Sequence, residues 1–118
     1  MDMMKALVYD RPGSCSIKDL PMPICGEADV IIKVMAASIC KGADRRHHTT
    51  GHKLGRYPVT TGHEFAGYVH QVGSEVKIWK PGDRVTADNA VPCGKCYFCQ
   101  REMYSHCLNF QSVGHSIP

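Results

Sequence analysis

The stretch Glu64-Phe65-Ala66-Gly67-Tyr68-Val69-His70-Gln71-Val72 has the composition of a β-strand with one glycine inside it. Aromatic and β-branched residues suit the pleated surface of a sheet, and a glycine inside a strand indicates a bulge or a close backbone approach. Working outward, further short strands broken by turn residues are predicted at residues 5–9, 16–20, 29–37, 76–79 and 84–87, with one or two helical turns at 39–48. Regular short strands with frequent turns predict a mainly β fold, a partly open β-barrel with a short helix.

The composition is that of one globular domain. The 118 residues are 43% hydrophobic and 21% charged, and 14 basic against 11 acidic side chains give a net charge of +3 without a basic block. Nucleic-acid binding therefore has little electrostatic support. No apolar run approaches the ~20 residues of a membrane span, and the start of the chain lacks the features of a secretory signal. We expect a cytoplasmic protein with no nucleic-acid or membrane partner.

Four of the seven cysteines crowd into residues 93–107. They are Cys93, Cys96, Cys99 and Cys107. An odd total without a secretion signal argues against a disulfide framework, and four thiolates at this spacing match the tetrahedral ligand set of Zn²⁺. With every position filled by protein, the metal would stabilise structure rather than catalyse. We predict a structural zinc lobe at residues 89–110.

Two other readings of the cysteine cluster are an iron–sulfur site and a set of free buried thiols. The usual iron–sulfur pattern places a proline after its last cysteine, whereas Leu108 follows Cys107 here. Free thiols would have no need to cluster.

A second candidate for metal chemistry combines Cys40 with the run Gly62-His63-Glu64. A thiolate and an imidazole from separate segments, with one coordination position open, make a catalytic zinc site. A lone cysteine is most often a small buried hydrophobe, and a lone histidine beside a strand is usually structural. Spacing alone leaves both readings open.

Three motifs in order resemble the zinc-dependent medium-chain alcohol and polyol dehydrogenases. Gly62-His63-Glu64-Phe65-Ala66-Gly67, with Gly73 and Val76, is similar to the signature G-H-E-x2-G-x5-G-x2-V. Pro81-Gly82-Asp83-Arg84-Val85 resembles the family's P-G-D-x-V turn, and the cysteine cluster lies where members keep a structural zinc lobe. The similarity spans essentially the whole chain. The long insert at residues 53–58, before the G-H-E motif, favours the polyol, sorbitol-dehydrogenase-like branch of the family.

The resemblance implies that residues 1–118 are the amino-terminal GroES-like, zinc-binding domain of such an enzyme. Cys40 and His63 would be ligands of the catalytic zinc. Glu64 would be its neighbour or an alternative ligand, and Asp44 the carboxylate hydrogen-bonded to the zinc-bound histidine. The full-length enzyme would pass a hydride from an alcohol or polyol to NAD or NADP, and would be a homo-oligomer.

The cofactor half of such an enzyme is expected beyond Pro118, together with a third zinc ligand. No Gly-rich fingerprint of a dinucleotide site occurs in the sequence. We therefore expect the 118 residues alone to be inactive as a dehydrogenase.

The run Cys40-Lys41-Gly42-Ala43-Asp44 departs from the family's C-x-[ST]-D. It is one residue longer, and Ala43 stands where a hydroxyl normally begins the proton relay. Thr49, Thr50 and His47 are other relay candidates, while His47, His48 and His52 are otherwise predicted to form a solvated loop.

Two rival functions come from other classes. A stand-alone zinc-ribbon module that binds protein or nucleic acid explains the four clustered cysteines but leaves Cys40 and the G-H-E motif unexplained. A co-chaperonin-like barrel would share the fold of this dehydrogenase domain and would need neither metal constellation.

Overall fold

The computed structural model describes residues 2–118, so Met1, the first residue of the predicted domain, lies outside the described residues. The eight strands are β1 (Met3–Arg11), β2 (Ser14–Pro21), β3 (Val30–Ala37), β4 (Val59–Thr60), β5 (Phe65–Val72), β6 (Arg84–Thr86), β7 (Ala90–Val91) and β8 (Gln111–Ser112). Within the described residues, one α-helix, α1 (Ala43–His48), follows β3, and two 3₁₀ turns lie at Cys99–Arg101 and Tyr104–His106. The predicted mainly β fold with a short helix is confirmed.

The strands form three open antiparallel sheets. Their orders are β2-β1-β4, β3-β5-β6 and β7-β8. The small apolar core includes Ala6 and Val8 on β1, Val59 on β4 and Val69 on β5. The described strands do not close into a barrel. No helix in residues 2–118 has the length and apolar character needed to cross a bilayer.

Gly67 brings two strands unusually close together. It pairs with Val34, where the register between β3 and β5 shifts. A Cβ on Gly67 would lie 2.0 Å from the carbonyl oxygen of Lys33. The close backbone approach expected from the sequence is therefore confirmed. It fixes the start of β5, and with it the two residues just before that strand, His63 and Glu64.

The prediction of a strand at residues 76–79 is wrong. This segment is a loop that follows a turn closed by the Val76 N–H donating to the Gly73 carbonyl at 3.2 Å. The next turn begins at Lys80, whose N–H donates to the Asp83 carboxylate at 3.0 Å. The residues between the two turns pair with none of the described strands, and Ile78 is left exposed.

Candidate metal centres

The four clustered cysteines converge as the spacing predicts. Their sulfur atoms all lie within 4.8 Å of one another, and the Cys93 and Cys99 Sγ atoms are 4.0 Å apart. Tetrahedral zinc with Zn–S bonds of ~2.3 Å would place its sulfurs ~3.8 Å apart. Cys99 and Cys107 are buried, whereas Cys93 and Cys96 are half-buried. The sulfur positions fit a four-coordinate zinc ion.

The local backbone supplies N–H groups to these sulfurs. The Cys93 N–H donates to Cys107 Sγ at 3.2 Å. Backbone N–H groups of Leu108 and Cys99 lower the pKa of the Cys96 thiol to about 6, while burial raises the pKa of Cys99 to about 12. A divalent cation favours the thiolate form of every ligand, so it would offset the effect of burial on Cys99. None of the seven cysteines, all of which lie in the described residues, forms a disulfide.

A second centre brings together Cys40, His63 and Glu64. One ligand atom from each lies within 4.8 Å of the other two. Cys40 lies in the turn before α1, whereas His63 and Glu64 immediately precede β5. The Ser38 N–H donates to the Glu64 carbonyl at 2.9 Å, and the Ser38 hydroxyl donates to the Glu64 carboxylate. Sulfur, nitrogen and oxygen donors at one point make a set that zinc binds.

Asp44 ties the Cys40 turn to His63. The Cys40 N–H donates to Asp44 Oδ2 at 2.7 Å, and the Asp44 N–H donates back to the Cys40 carbonyl at 3.1 Å. The other carboxylate oxygen, Oδ1, lies 3.5 Å from His63 Nδ1, and both atoms are buried without another hydrogen-bond partner. Because Nδ1 faces Asp44, Nε2 is the His63 nitrogen available as a ligand. The extra residue between Cys40 and Asp44 does not keep the carboxylate from His63.

The prediction of a solvated loop is wrong for His47. Its side chain is fully buried on α1, with Nδ1 2.7 Å from the Tyr57 hydroxyl and Nε2 2.7 Å from His115 Nδ1. His52 is half-buried, and its ring stacks on that of His115 with centroids 4.3 Å apart. His48 is exposed but lies 3.2 Å from the Tyr9 hydroxyl. The cluster formed by His47, His52 and His115 could not be predicted from the sequence, because these residues come from three separate segments of the chain.

Burial favours the neutral form of three of these imidazoles, those of His47, His52 and His115. Burial lowers the pKa of His115 to about 4, and burial likewise lowers the pKa values of His47 and His52. One nitrogen from each of the three lies within 4.8 Å of the others. However, the His47 and His52 rings lie within 14° of parallel to the ring of His115, and the Leu54 N–H donates to His52 Nδ1 at 3.2 Å. Their lone pairs therefore do not converge on one ion.

A cavity of about 500 Å³ opens beside Cys40. Leu7, Ala37 and Ile39 contribute apolar wall, and Lys41 with Arg45 contributes positive charge. Ala43 and Thr49 do not line this cavity, and the Thr49 hydroxyl donates to the Arg45 carbonyl at 3.0 Å. The cavity has the size of a small organic molecule.

Comparison with known proteins gives consistent matches. Residues 26–116 match the model of the alcohol dehydrogenase GroES-like domain. The chain is 40% identical to a sorbitol dehydrogenase of Bacillus subtilis over 112 residues, which are 92% of this chain and 31% of that protein. It is also 40% identical over 103 residues to an Escherichia coli protein, YdjL, described as zinc-type alcohol dehydrogenase-like; the match covers 86% of this chain and 28% of that protein.

Two solved structures that are similar in fold are also dehydrogenases. A crystal structure from Sinorhizobium meliloti 1021, named as a zinc-binding dehydrogenase and solved with NADP bound, superposes with a TM-score of 0.92 at 36% identity, covering 99% of this chain and 34% of that one. Galactitol-1-phosphate dehydrogenase from Escherichia coli gives a TM-score of 0.85 at 32% identity, covering 97% and 33%. The chain thus spans about a third of the length of the proteins it matches.

Proposed function

Because this chain belongs to the family of alcohol dehydrogenase GroES-like domains, we propose that it is the zinc-carrying domain of a zinc-dependent alcohol or polyol dehydrogenase. The observation that carries the proposal is the convergence of Cys40, His63 and Glu64, with the Asp44 carboxylate behind His63. A stand-alone zinc ribbon has no use for this second centre. The 40% identity to a sorbitol dehydrogenase supports a polyol as the substrate class.

We assign Cys40 and His63 as ligands of the catalytic zinc and Glu64 as a further ligand or close neighbour. When bound, zinc would supply Lewis-acid polarisation of the alcohol oxygen, which favours loss of its proton. Asp44 would hold the proton of His63 on Nδ1 and so leave Nε2 free to bind. The apolar wall of the cavity beside Cys40 would exclude water and orient the carbon that gives up a hydride.

Residues 89–110 would form the structural lobe, with zinc held by the four clustered cysteines. Since the relatives are about three times as long as this chain, we assign NAD or NADP, the hydride acceptor, to the rest of the protein. The 118 residues by themselves would then lack dehydrogenase activity. We further propose that the whole protein is a cytoplasmic homo-oligomer, acts on a small alcohol or polyol, and has no nucleic-acid or membrane partner.

Metal counting on the purified chain tests the proposal. We expect two zinc ions per chain, one after Cys40→Ser, and two after Cys15→Ser, a matched control at an exposed thiol outside both centres. An unchanged zinc content in Cys40→Ser would show that the second centre does not bind metal.

Activity assays provide an independent check. The full-length protein should oxidise a polyol with NAD or NADP, and the 118 residues alone should not. Turnover by the isolated chain would contradict the proposal that NAD or NADP binds in the rest of the protein.

A further inference from the structure

The buried ring of His115 packs against the ring of His63. Their centroids are 4.5 Å apart, and their planes are inclined by 46°. We propose that His115 is a positioning residue that fixes the plane of the His63 imidazole. This inference rests on the proposed function, in which His63 binds the catalytic zinc.

His115 is part of a closed set of contacts around His63. Three side-chain contacts and the backbone of α1 link four residues in a ring: Asp44, His63, His115 and His47. Asp44 Oδ1 lies 3.5 Å from His63 Nδ1, the two imidazoles of His63 and His115 are in contact, and His115 Nδ1 lies 2.7 Å from His47 Nε2. His47 and Asp44 are three residues apart on α1 and therefore share one face of that helix. The helix thus holds His63 from two directions.

Backbone contacts outside this set of four side chains also hold His115 in place. Gly114 lies so near Gly62 that a Cβ on Gly114 would be 2.5 Å from the Gly62 carbonyl oxygen. The Arg56 N–H donates to the His115 carbonyl at 3.1 Å. The segment that carries His115 is therefore packed directly on the residue that precedes His63.

His115 adds a constraint that Asp44 cannot provide. A contact at Nδ1 restrains one edge of the His63 ring but leaves the ring able to tilt about that contact. A second ring packed against it removes this freedom because tilting would overlap the two rings. A metal ligand held in its binding orientation loses less entropy on binding. Loss of a hydrogen-bonded outer partner typically weakens metal affinity by ~10- to 100-fold, and we expect loss of this packing partner to fall at the lower end of that range.

The test uses two substitutions at His115, one of which keeps an aromatic ring. The chain is first loaded with one zinc ion at the four-cysteine lobe, and the second centre is then titrated with Co²⁺, which does not displace zinc from thiolates. The thiolate-to-cobalt absorption of Cys40 reports binding. His115→Gln keeps a polar group but removes the ring, and we expect ~10-fold weaker cobalt binding. His115→Phe keeps a ring, and we expect affinity within about threefold of the parent chain.

The two variants separate positioning from stability. His115→Phe leaves His47 Nε2 without its partner and should lower the urea midpoint, since a buried unpaired nitrogen is costly, yet it should retain cobalt affinity. His70→Ala, at an exposed position on β5, is the control and should change neither quantity. The proposal is overturned if His115→Gln binds cobalt as tightly as the parent, or if His115→Phe binds as weakly as His115→Gln.

Failure of the proposed zinc site would give a different result. If the cobalt absorption survives Cys40→Ser, the second centre is not the metal site and the proposed function fails with it. If Cys40→Ser abolishes the absorption while His115→Gln leaves the dissociation constant unchanged, only the role of His115 is refuted.

Discussion

Replacement of Gly114 by alanine should damage both the fold and the second metal centre. Gly114 has a φ of +76°, and a Cβ there would lie 2.5, 2.7 and 3.0 Å from the O, C and N atoms of Gly62. All three are backbone atoms, which no rotamer change can move aside. Ordinary contact begins at 3.4 Å, so the two segments must separate by about 0.9 Å.

Two costs add at this position. A left-handed backbone costs an alanine ~1–2 kcal/mol, and overpacking of a close contact costs ~1–3 kcal/mol. The free energy of unfolding should therefore fall by ~2–5 kcal/mol. Gly82 provides the matched control because its φ of +93° imposes the same kind of strain while a Cβ there meets nothing within 4 Å. Gly82→Ala should lose only the ~1–2 kcal/mol of backbone strain.

Urea unfolding of the zinc-loaded chain, followed by circular dichroism, measures both variants. Gly114→Ala should be the less stable by ~1–3 kcal/mol, and it should also bind Co²⁺ more weakly at the second centre because the segment carrying His115 has moved. Equal stability losses in Gly114→Ala and Gly82→Ala would refute the close packing of Gly114 on Gly62.

Three further perturbations address the metal ligands and the buried histidines. Cys96→Ser should remove one zinc ion per chain and abolish hydrogen-exchange protection within residues 89–110, since metal-binding energy in such a lobe is folding energy; protection like that of the parent chain would contradict this. Asp44→Asn should weaken cobalt binding at the second centre by ~10- to 100-fold because an amide cannot supply the charge that faces His63 Nδ1, and an unchanged dissociation constant would count against the pairing. Burial lowers the pKa of His47, so below its ordinary pKa of ~6.5 the unfolded chain takes up a proton that the folded chain disfavours. The free energy of unfolding should fall as the pH drops from 7 to 5, and urea titrations of His47→Gln should show a flatter slope; an identical slope would exclude His47 as its source.

Features set by neighbouring residues could be predicted from the sequence. The β5 strand and the close approach at Gly67 follow from β-branched and aromatic residues around one glycine. The cysteine lobe follows from spacing, because Cys-x2-Cys turns bring sulfurs together with little help from the rest of the fold. Strands β4, β7 and β8 have two residues each, too few to give a periodic signal.

Features built from distant segments could not be predicted in this way. His47 lies in a polar run next to other histidines, which indicates a solvated loop, yet it is fully buried. Its burial depends on Tyr57 and on His115 near the other end of the chain, neither of which marks itself as a partner. The sequence motif predicts Asp44 near His63, but it carries no information about the ring that packs against His63.

The ring formed by Asp44, His63, His115 and His47 couples sequence change at His47 to sequence change at His115, the two members that are not placed at the metal. Once either His47 or His115 has been replaced, the hydrogen bond between them is already lost, so replacing the other should cost less than it would alone. Drift at these positions should consequently occur in pairs: a relative that has lost the imidazole at 115 has little reason to keep the one at 47.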